Sequence, residues 1–226
     1  MKPLTVALGD DSVDWGRTGI RYGIYLVGLF CISLGTVLQT ESGLGVASLT
    51  CFATFAARAL GTSLGFMIAA TYAIYIAAQA LILRGKFQAR ILLEMVFAFS
   101  MGYLVDAIAA FVQVSPQGFL AQFICMLAAL VVTAFGASLM VQMEVVPNAP
   151  DGLVQVIADA LGTAFGNVKV VFDVSHVSAA LVGSLLLFSD IKGFGPTAVV
   201  SALFLGRIIN VIMSTVGRRA VSIVWE

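Results

Sequence analysis

The sequence predicts an all-α integral membrane protein with six transmembrane helices and two short helices, arranged as two inverted three-span repeats. The first observation behind this prediction is composition: the 226 residues are 60% hydrophobic and 11% charged, with a mean hydropathy of +1.04. A soluble domain carries about 25% charged residues, so a soluble enzyme is excluded. The second observation is that the apolar runs are long and unbroken. They favour helices over a β-barrel, whose strands alternate apolar and polar residues over about ten positions.

A single membrane domain over residues 1–226 accommodates these helices, since each span takes about 20 residues. Residues 1–20 hold three aspartates and no apolar core, so we expect a cytoplasmic lead-in rather than a signal peptide. The long spans are predicted at 22–40, 64–83, 91–112, 119–143, 167–188 and 197–216. Two shorter apolar segments, 46–60 and 152–162, follow Gly- or Pro-containing breaks. They either lie flat at the two membrane surfaces or enter the membrane from them.

The distribution of basic residues sets the expected orientation. With six crossings and a cytoplasmic N-terminus, most basic residues fall on the cytoplasmic side, as the positive-inside rule requires. They are Lys2, Arg17, Arg21, Arg84, Lys86, Arg90, Lys169, Arg218 and Arg219. Arg58 and Lys192 fall outside, and Arg207 lies within a span. If the short segments also crossed, one basic cluster would be stranded outside, so we expect six crossings with both termini cytoplasmic.

The two halves of the chain share short motifs in the same order, which indicates an internal duplication. Residues 59–65 (ALGTSLG) match residues 160–166 (ALGTAFG) at an offset of 101. The Gly-Asp pair at 102 and 106 matches the Gly-Asn pair at 206 and 210 at an offset of 104. Repeat 1 (21–113) and repeat 2 (118–217) each contain three spans, an odd number, so they face opposite ways. Inverted repeats with broken helices are typical of secondary transporters.

Three motifs in the chain resemble the YczE/YyaS/YitT family of bacterial multipass membrane proteins. They are FGNVKVVFDVS at 165–175, GYLVD at 102–106, and the Gly35…Glu41…Gly45 approach to the first short helix. The resemblance covers nearly the whole chain from about Arg21 onward. It implies a multipass fold in the bacterial cytoplasmic membrane. It implies little chemistry, because the function of that family is largely unassigned.

Charged side chains in the predicted spans are the candidates for function, because a charge at a helix centre costs at least about 2.5 kcal/mol. Lys169, Asp173 and His176 have the spacing i, i+4 and i+7, which places them on one helix face. Either they form a proton-responsive polar face that lines a cavity, or an ion pair locks this span to a neighbour. The matching positions in the first half are Tyr72 and Tyr75, so that face is polar and uncharged.

A second candidate group lies at equivalent depths of the third and sixth spans. Asp106 and Arg207 both fall well inside their spans, one helical turn apart in the repeat alignment. The pseudo-symmetry is therefore expected to bring them together between the halves. They form either a substrate or coupling site, to which Asn210 also contributes, or a structural salt bridge.

Three glutamates lie near the ends of predicted spans, where a charge is less costly than at a helix centre. Glu94 follows Arg90 by four residues near the cytoplasmic edge, so we expect an interfacial ion pair. Glu41 and Glu144 end equivalent spans directly before the two breaks. They are either members of a gate at opposite mouths of a pathway or solvated helix ends.

No catalytic residue, metal site or cofactor is expected. The chain has one histidine, its three cysteines lie apart in apolar stretches, and no Gly-rich phosphate loop is present. The inverted repeat and the charged side chains within the spans instead favour a small secondary transporter for a small polar or zwitterionic metabolite. Carboxylates and a histidine among those side chains make protons the natural coupling ion. The alternative is a non-transporting membrane partner, such as a substrate-capture subunit or an accessory protein of a biosynthetic complex. The expected partners are the lipid bilayer and a small-molecule substrate, with a homodimer left open; the net charge of zero gives no indication of nucleic acid.

Overall fold

Long apolar runs become helices because a helix satisfies its own backbone N–H and C=O groups where no water is present. The computed structural model describes residues 15–83, 90–143, 145–146, 148–163, 165–189, 195–213 and 215. Over those residues the chain forms eight helices and no strand. They are α1 (Trp15–Glu41), α2 (Ser48–Leu60), α3 (Leu64–Leu83), α4 (Arg90–Phe111), α5 (Phe119–Met143), α6 (Ala149–Leu161), α7 (Phe165–Phe188) and α8 (Pro196–Ile212).

Five of these helices, α1, α3, α4, α5 and α7, are long and apolar enough to cross a membrane. Helices α3 and α5 have the bounds that the sequence predicts. Helix α1 begins at Trp15 rather than at residue 22, because Arg17 and Arg21 are good helix formers and do not interrupt it. Helix α8 is also apolar, but its described part has only 17 residues. This set of helices is that of an all-α multipass membrane protein.

The two short helices, α2 and α6, have 13 residues each and end in the same way. Their C-caps, Gly61 and Gly162, adopt left-handed conformations with φ of 64° and 63°. The backbone N–H of the following residue, Thr62 or Thr163, bonds to the carbonyl oxygen five positions earlier at 3.0 Å in both cases. This is the Schellman arrangement, in which glycine avoids the penalty that a Cβ would impose. The two segments that match in sequence therefore also match in local geometry.

The long helices pack in pairs around a common core. Helix α1 runs along α5, and their backbones cross so closely at Gly28 and Gly136 that a Cβ on either glycine would meet the other's carbonyl oxygen. Helix α3 runs along α4, while α4 also packs against α1 and α8 against α5. The short helix α2 packs against α7 and α3, and α6 packs against α3 and α7. The largest buried cluster includes the fully buried side chains of Tyr25, Ile68 and Met143.

The two breaks before the short helices lie at opposite ends of the bundle, and side chains satisfy their backbone groups. At one end, called the Leu44 end, the Leu44 carbonyl accepts a hydrogen bond of 2.9 Å from the Thr197 hydroxyl of α8. At the other, called the Ala149 end, the Ala149 carbonyl accepts one of 3.2 Å from the Gln79 amide of α3. Both short helices therefore sit against long helices of the bundle.

Candidate functional site

A three-residue ion cluster lies between α6 and the beginning of α7. The Lys169 ammonium is 2.9 Å from the Asp151 carboxylate and 3.4 Å from the Asp173 carboxylate. The side chains of Lys169 and Asp173 are 24% and 18% exposed, and that of Asp151 is 43% exposed. The i,i+4 pair that the sequence predicts is therefore present, and a second carboxylate makes the cluster net negative.

Asp151 reaches this cluster because of how α6 begins. Asn148 is the N-cap, Pro150 occupies the first turn, and Asp151 is the acidic residue of that turn. Proline suits the first turn because it lacks the N–H that would otherwise be unbonded. An acidic side chain there interacts favourably with the positive end of the helix dipole. The same position faces Lys169, so helix initiation and ion pairing agree.

A hydrogen bond between Tyr75 and His176 joins the two halves of the chain next to this cluster. The Tyr75 hydroxyl contacts His176 Nε2, and His176 Nδ1 lies 2.7 Å from the Phe172 carbonyl oxygen. A carbonyl oxygen can only accept, so Nδ1 carries a proton and donates it. Nε2 then accepts from the tyrosine when the imidazole is neutral and donates to it when the imidazole is charged. Phe52 and Phe172 enclose the imidazole edge-on or tilted.

Helix α3 presents a polar stripe to α6 and α7. Tyr72, Tyr75 and Gln79 have the spacing i, i+3 and i+7, so they share one face, and each is less than 9% exposed. Gln79 donates to the Glu94 carboxylate at 2.9 Å as well as to the Ala149 carbonyl. Glu94 is only 4% exposed. It is thus a buried member of this polar region rather than a surface residue; the side chain of Arg90, its expected partner, lies outside the described residues.

A small cavity lies beside this stripe, between α1, α3, α4 and the start of α6. Its polar lining comes from Tyr25, Tyr72, Glu94 and Asn148. The volume open to the centre of a water molecule is about 10 Å³, so the cavity holds about one water. In this conformation the cavity is too small for a metabolite.

The structure does not bring Asp106 and Arg207 together. Asp106 instead accepts hydrogen bonds from the Ser63 hydroxyl at 2.6 Å and from the Gly65 backbone N–H at 2.8 Å. It therefore caps the beginning of α3, at the Leu44 end of the bundle. Arg207 lies toward the C-terminal end of α8, where its guanidinium is 5.8 Å from the Phe204 ring centroid. Among the described residues, no salt bridge connects the two. Asn210 lies on α8, and its side chain is outside the description.

The expected gating residues are only partly described. Glu41 is the last residue of α1 and is partly exposed. Glu144 lies outside the described residues. The part of the chain that the structure describes contains no group of three His, Cys, Asp or Glu side chains that could hold a metal ion.

Sequence reasoning missed three polar residues of this region as site residues: Asp151, Gln79 and Glu94. Asp151 could have been predicted from the sequence, because an acidic residue directly after proline at the start of a helix is oriented by that helix. Gln79 lies one turn beyond Tyr75 on the same face, so the spacing of Tyr72 and Tyr75 extends to it. The burial of Glu94 had no signal, because it depends on α6 packing against α3 and α4.

Comparisons with known proteins identify a family whose function is unknown. A comparison with curated proteins and one with solved structures each found no match. A family model described as "Family of unknown function (DUF6198)" matches residues 19–214. The resemblance to the YczE/YyaS/YitT family is a separate matter and stays a prediction. Because the matched region covers most of the chain, this protein belongs to DUF6198, a family of unknown function.

Proposed function

We propose that the protein is a small secondary transporter that couples the movement of a small polar or zwitterionic metabolite to protons. One observation carries the proposal: an ion cluster and a Tyr–His hydrogen bond lie together where the two halves of the chain meet. Lys169 and Asp173 form an ion pair in a span, and His176 on the same helix shares a hydrogen bond with Tyr75. Groups of this kind within spans form proton relays in pumps and transporters.

The pattern of helix contacts supports two inverted repeats. Suppose that each helix of the first half (α1 to α4) is exchanged with the helix four places later (α5 to α8). The contact between α2 and α7 then becomes the contact between α6 and α3, and the contact between α1 and α4 becomes the contact between α5 and α8. The α2–α3 and α6–α7 contacts are exchanged in the same way, and α1–α5 maps onto itself. A two-fold relation between the halves explains this reciprocity. With three crossings in each half, the axis lies in the membrane plane, as in transporters that bind substrate at the repeat interface.

The Tyr75–His176 contact also supports such an axis. The two residues are 101 apart in sequence, which is the offset between the matching ALGTSLG and ALGTAFG segments. Each is therefore the counterpart of the other, and counterparts touch only near the axis itself. We propose that this contact lies near the membrane midplane, with six crossings in all. The Ala149 end then faces the cytoplasm, with both termini, in a bacterial cytoplasmic membrane, in line with the positive-inside rule.

The test uses purified protein reconstituted into liposomes that contain a pH-sensitive dye. Fractionated metabolite pools are first screened for an increase in melting temperature, because a ligand that binds only the folded state stabilises it by mass action. A stabilising pool should then produce proton movement across the liposome membrane. Asp173→Asn should abolish proton movement while the pool still raises the melting temperature.

Asp159→Asn is the matched control, because Asp159 is an exposed carboxylate of α6 that bonds only to Gln155 among the described residues, at 2.8 Å. This variant should transport as the unmodified protein does. If Asp173→Asn moves protons at the unmodified rate, the proposal is wrong for this residue. If no pool moves protons in any variant, the transport function itself is wrong.

One observation favours the alternative of a non-transporting membrane partner. The cavity admits about one water molecule, while α6 exposes Gln155 and Asp159 on its outer face. A partner protein would bind that face. The liposome assay would then show no proton movement, and a stabilising metabolite would be found only if the protein is a substrate-capture subunit.

A further inference from the structure

The two ends of the bundle differ in how their neighbouring helices are held. At the Leu44 end, α3 and α4 cross backbone to backbone at Gly65 and Gly102. A Cβ added to either glycine would overlap the carbonyl oxygen of the other, and one on Gly102 would also lie 2.9 Å from the Ala69 Cβ. Such close crossings are stabilised by extended van der Waals contact between small residues. At this end α3 and α4 are therefore in close backbone contact.

Asp106 holds the same crossing closed with two hydrogen bonds. Its carboxylate, on α4, accepts from Ser63 and from the Gly65 N–H, both at the beginning of α3. The first N–H groups of a helix have no partner within the helix, and a carboxylate there also meets the positive end of the dipole. The contact therefore ties α4 to α3 at the Leu44 end.

At the Ala149 end, the corresponding helices α7 and α8 are apart. The counterparts of Gly102 and Ala69 in the repeat alignment are Gly206 and Val170. A Cβ on Gly206 would have no atom within 4 Å, and Val170 is 63% exposed. Over their described residues, α7 and α8 do not pack along each other as α3 and α4 do. Lys169, next to Val170, is also partly exposed.

We infer that this structure is one of two alternating conformations, open at the Ala149 end and closed at the Leu44 end. The inference rests on the proposed transport function and names its gates. In the second conformation α8 packs against α7 with Gly206 on Val170, while α4 separates from α3 and Asp106 leaves the beginning of α3. Because the halves have the same architecture, each can adopt the packing that the other now has. The ion cluster around Lys169 is then reached from one end at a time.

The experiment measures the accessibility of position 170 in a variant without native cysteines. Val170→Cys in lipid nanodiscs is treated with a water-soluble maleimide. We expect rapid labelling, because the inferred opening between α7 and α8 admits water. Asp106→Ala removes the contact that closes the Leu44 end. It should shift the equilibrium constant about fivefold towards the second conformation, and so lower the labelling rate by up to about fivefold. Ser63→Ala removes one of the two hydrogen bonds and should give a smaller decrease.

Two further variants keep the result interpretable if Asp106→Ala destabilises the protein. A Cβ on Gly206 meets no atom within 4 Å in the present conformation, whereas Gly206→Leu should block packing of α8 on α7. Added to Asp106→Ala, it should restore rapid labelling. The Val170→Cys/Gly206→Cys pair should form a disulfide under oxidation, and faster when Asp106 is replaced. Ser100→Ala is the control, since Ser100 bonds only within α4 among the described residues, to the Val96 carbonyl.

The inference is overturned if Asp106→Ala and Ser63→Ala leave labelling unchanged, or if the disulfide forms in no variant. It is also overturned if Val170→Cys is unreactive from the start, because lipid rather than water would then fill the gap. Proton movement in liposomes without these accessibility changes would remove the gating inference and leave the transport proposal standing. Accessibility changes without any proton movement would remove the transport proposal and leave the two conformations standing.

Discussion

At the residue scale, the charge balance around Lys169 decides the effect of substitutions there. One ammonium faces two carboxylates, at 2.9 Å and 3.4 Å. Asp173→Asn leaves the shorter pair intact, so we expect the free energy of unfolding to fall by about 1 kcal/mol or less. Lys169→Met leaves two neighbouring carboxylates without their cation and should cost about 2 kcal/mol, below the value for fully buried pairs because these side chains are partly exposed.

Thermal melting of the purified variants in detergent orders these effects. Adding Asp173→Leu to Lys169→Met removes one uncompensated carboxylate, so the double variant should melt above Lys169→Met. A larger loss for Asp173→Asn than for Lys169→Met would contradict this account of the cluster.

The polar face of α7 was predictable because the 3.6-residue period is a local property of the chain. The position of Asp106 was not predicted, although the residue was singled out. Repeat symmetry suggested Arg207 as its partner, whereas the unbonded N–H groups at the start of α3 are nearer and bind it instead. Pairings across the bundle depend on which helix ends meet, and no spacing in the sequence encodes that.

At the element scale, helix bounds followed from the sequence where a chemical boundary coincided with the helix end. Helices α3 and α5 have the predicted bounds because glycine, proline or charged residues flank the apolar runs on both sides. The short helices were also predicted, at about the correct residues. Their packing against α3 and α7 was left open, because an amphipathic segment reads the same on a membrane surface and within a bundle.

The equivalent ends of α2 and α6 give a prediction with an internal comparison. Gly61 and Gly162 have nearly identical left-handed conformations, and both lie in open space. Gly61→Ala and Gly162→Ala should therefore each destabilise the protein by about 1 kcal/mol, through backbone strain alone. Gly23→Ala, in α1 with open space and no positive φ, should be neutral or stabilising. Thermal melting checks all three, and unequal losses at 61 and 162 would argue against equivalent turns.

At the scale of the whole molecule, the class of protein followed from composition alone, while the number of crossings depends on α8. Five helices are long enough to span a bilayer, and the described part of α8, at 17 residues, is shorter than the roughly 20 that a span takes. The sequence predicts that the sixth span extends to residue 216, beyond the described part of α8. The prediction of a sixth crossing therefore still rests on the distribution of basic residues. Measuring which loops are accessible from outside the cell tests that prediction directly.

In cells that express a variant without native cysteines, single cysteines at positions 86, 192 and 219 report the sidedness of three segments. Six crossings put Lys86→Cys and Arg219→Cys in the cytoplasm, because the positive-inside rule retains basic loops there. They place Lys192→Cys outside, between the fifth and sixth spans. A membrane-impermeant maleimide should therefore label position 192 in intact cells, and positions 86 and 219 only after the membrane is opened. Labelling of position 86 in intact cells would reverse the orientation of the 84–90 loop. The six-crossing arrangement places two spans between the N-terminus and this loop, and so puts both on the cytoplasmic side. A loop on the outside would contradict that arrangement and the inverted repeat that depends on it.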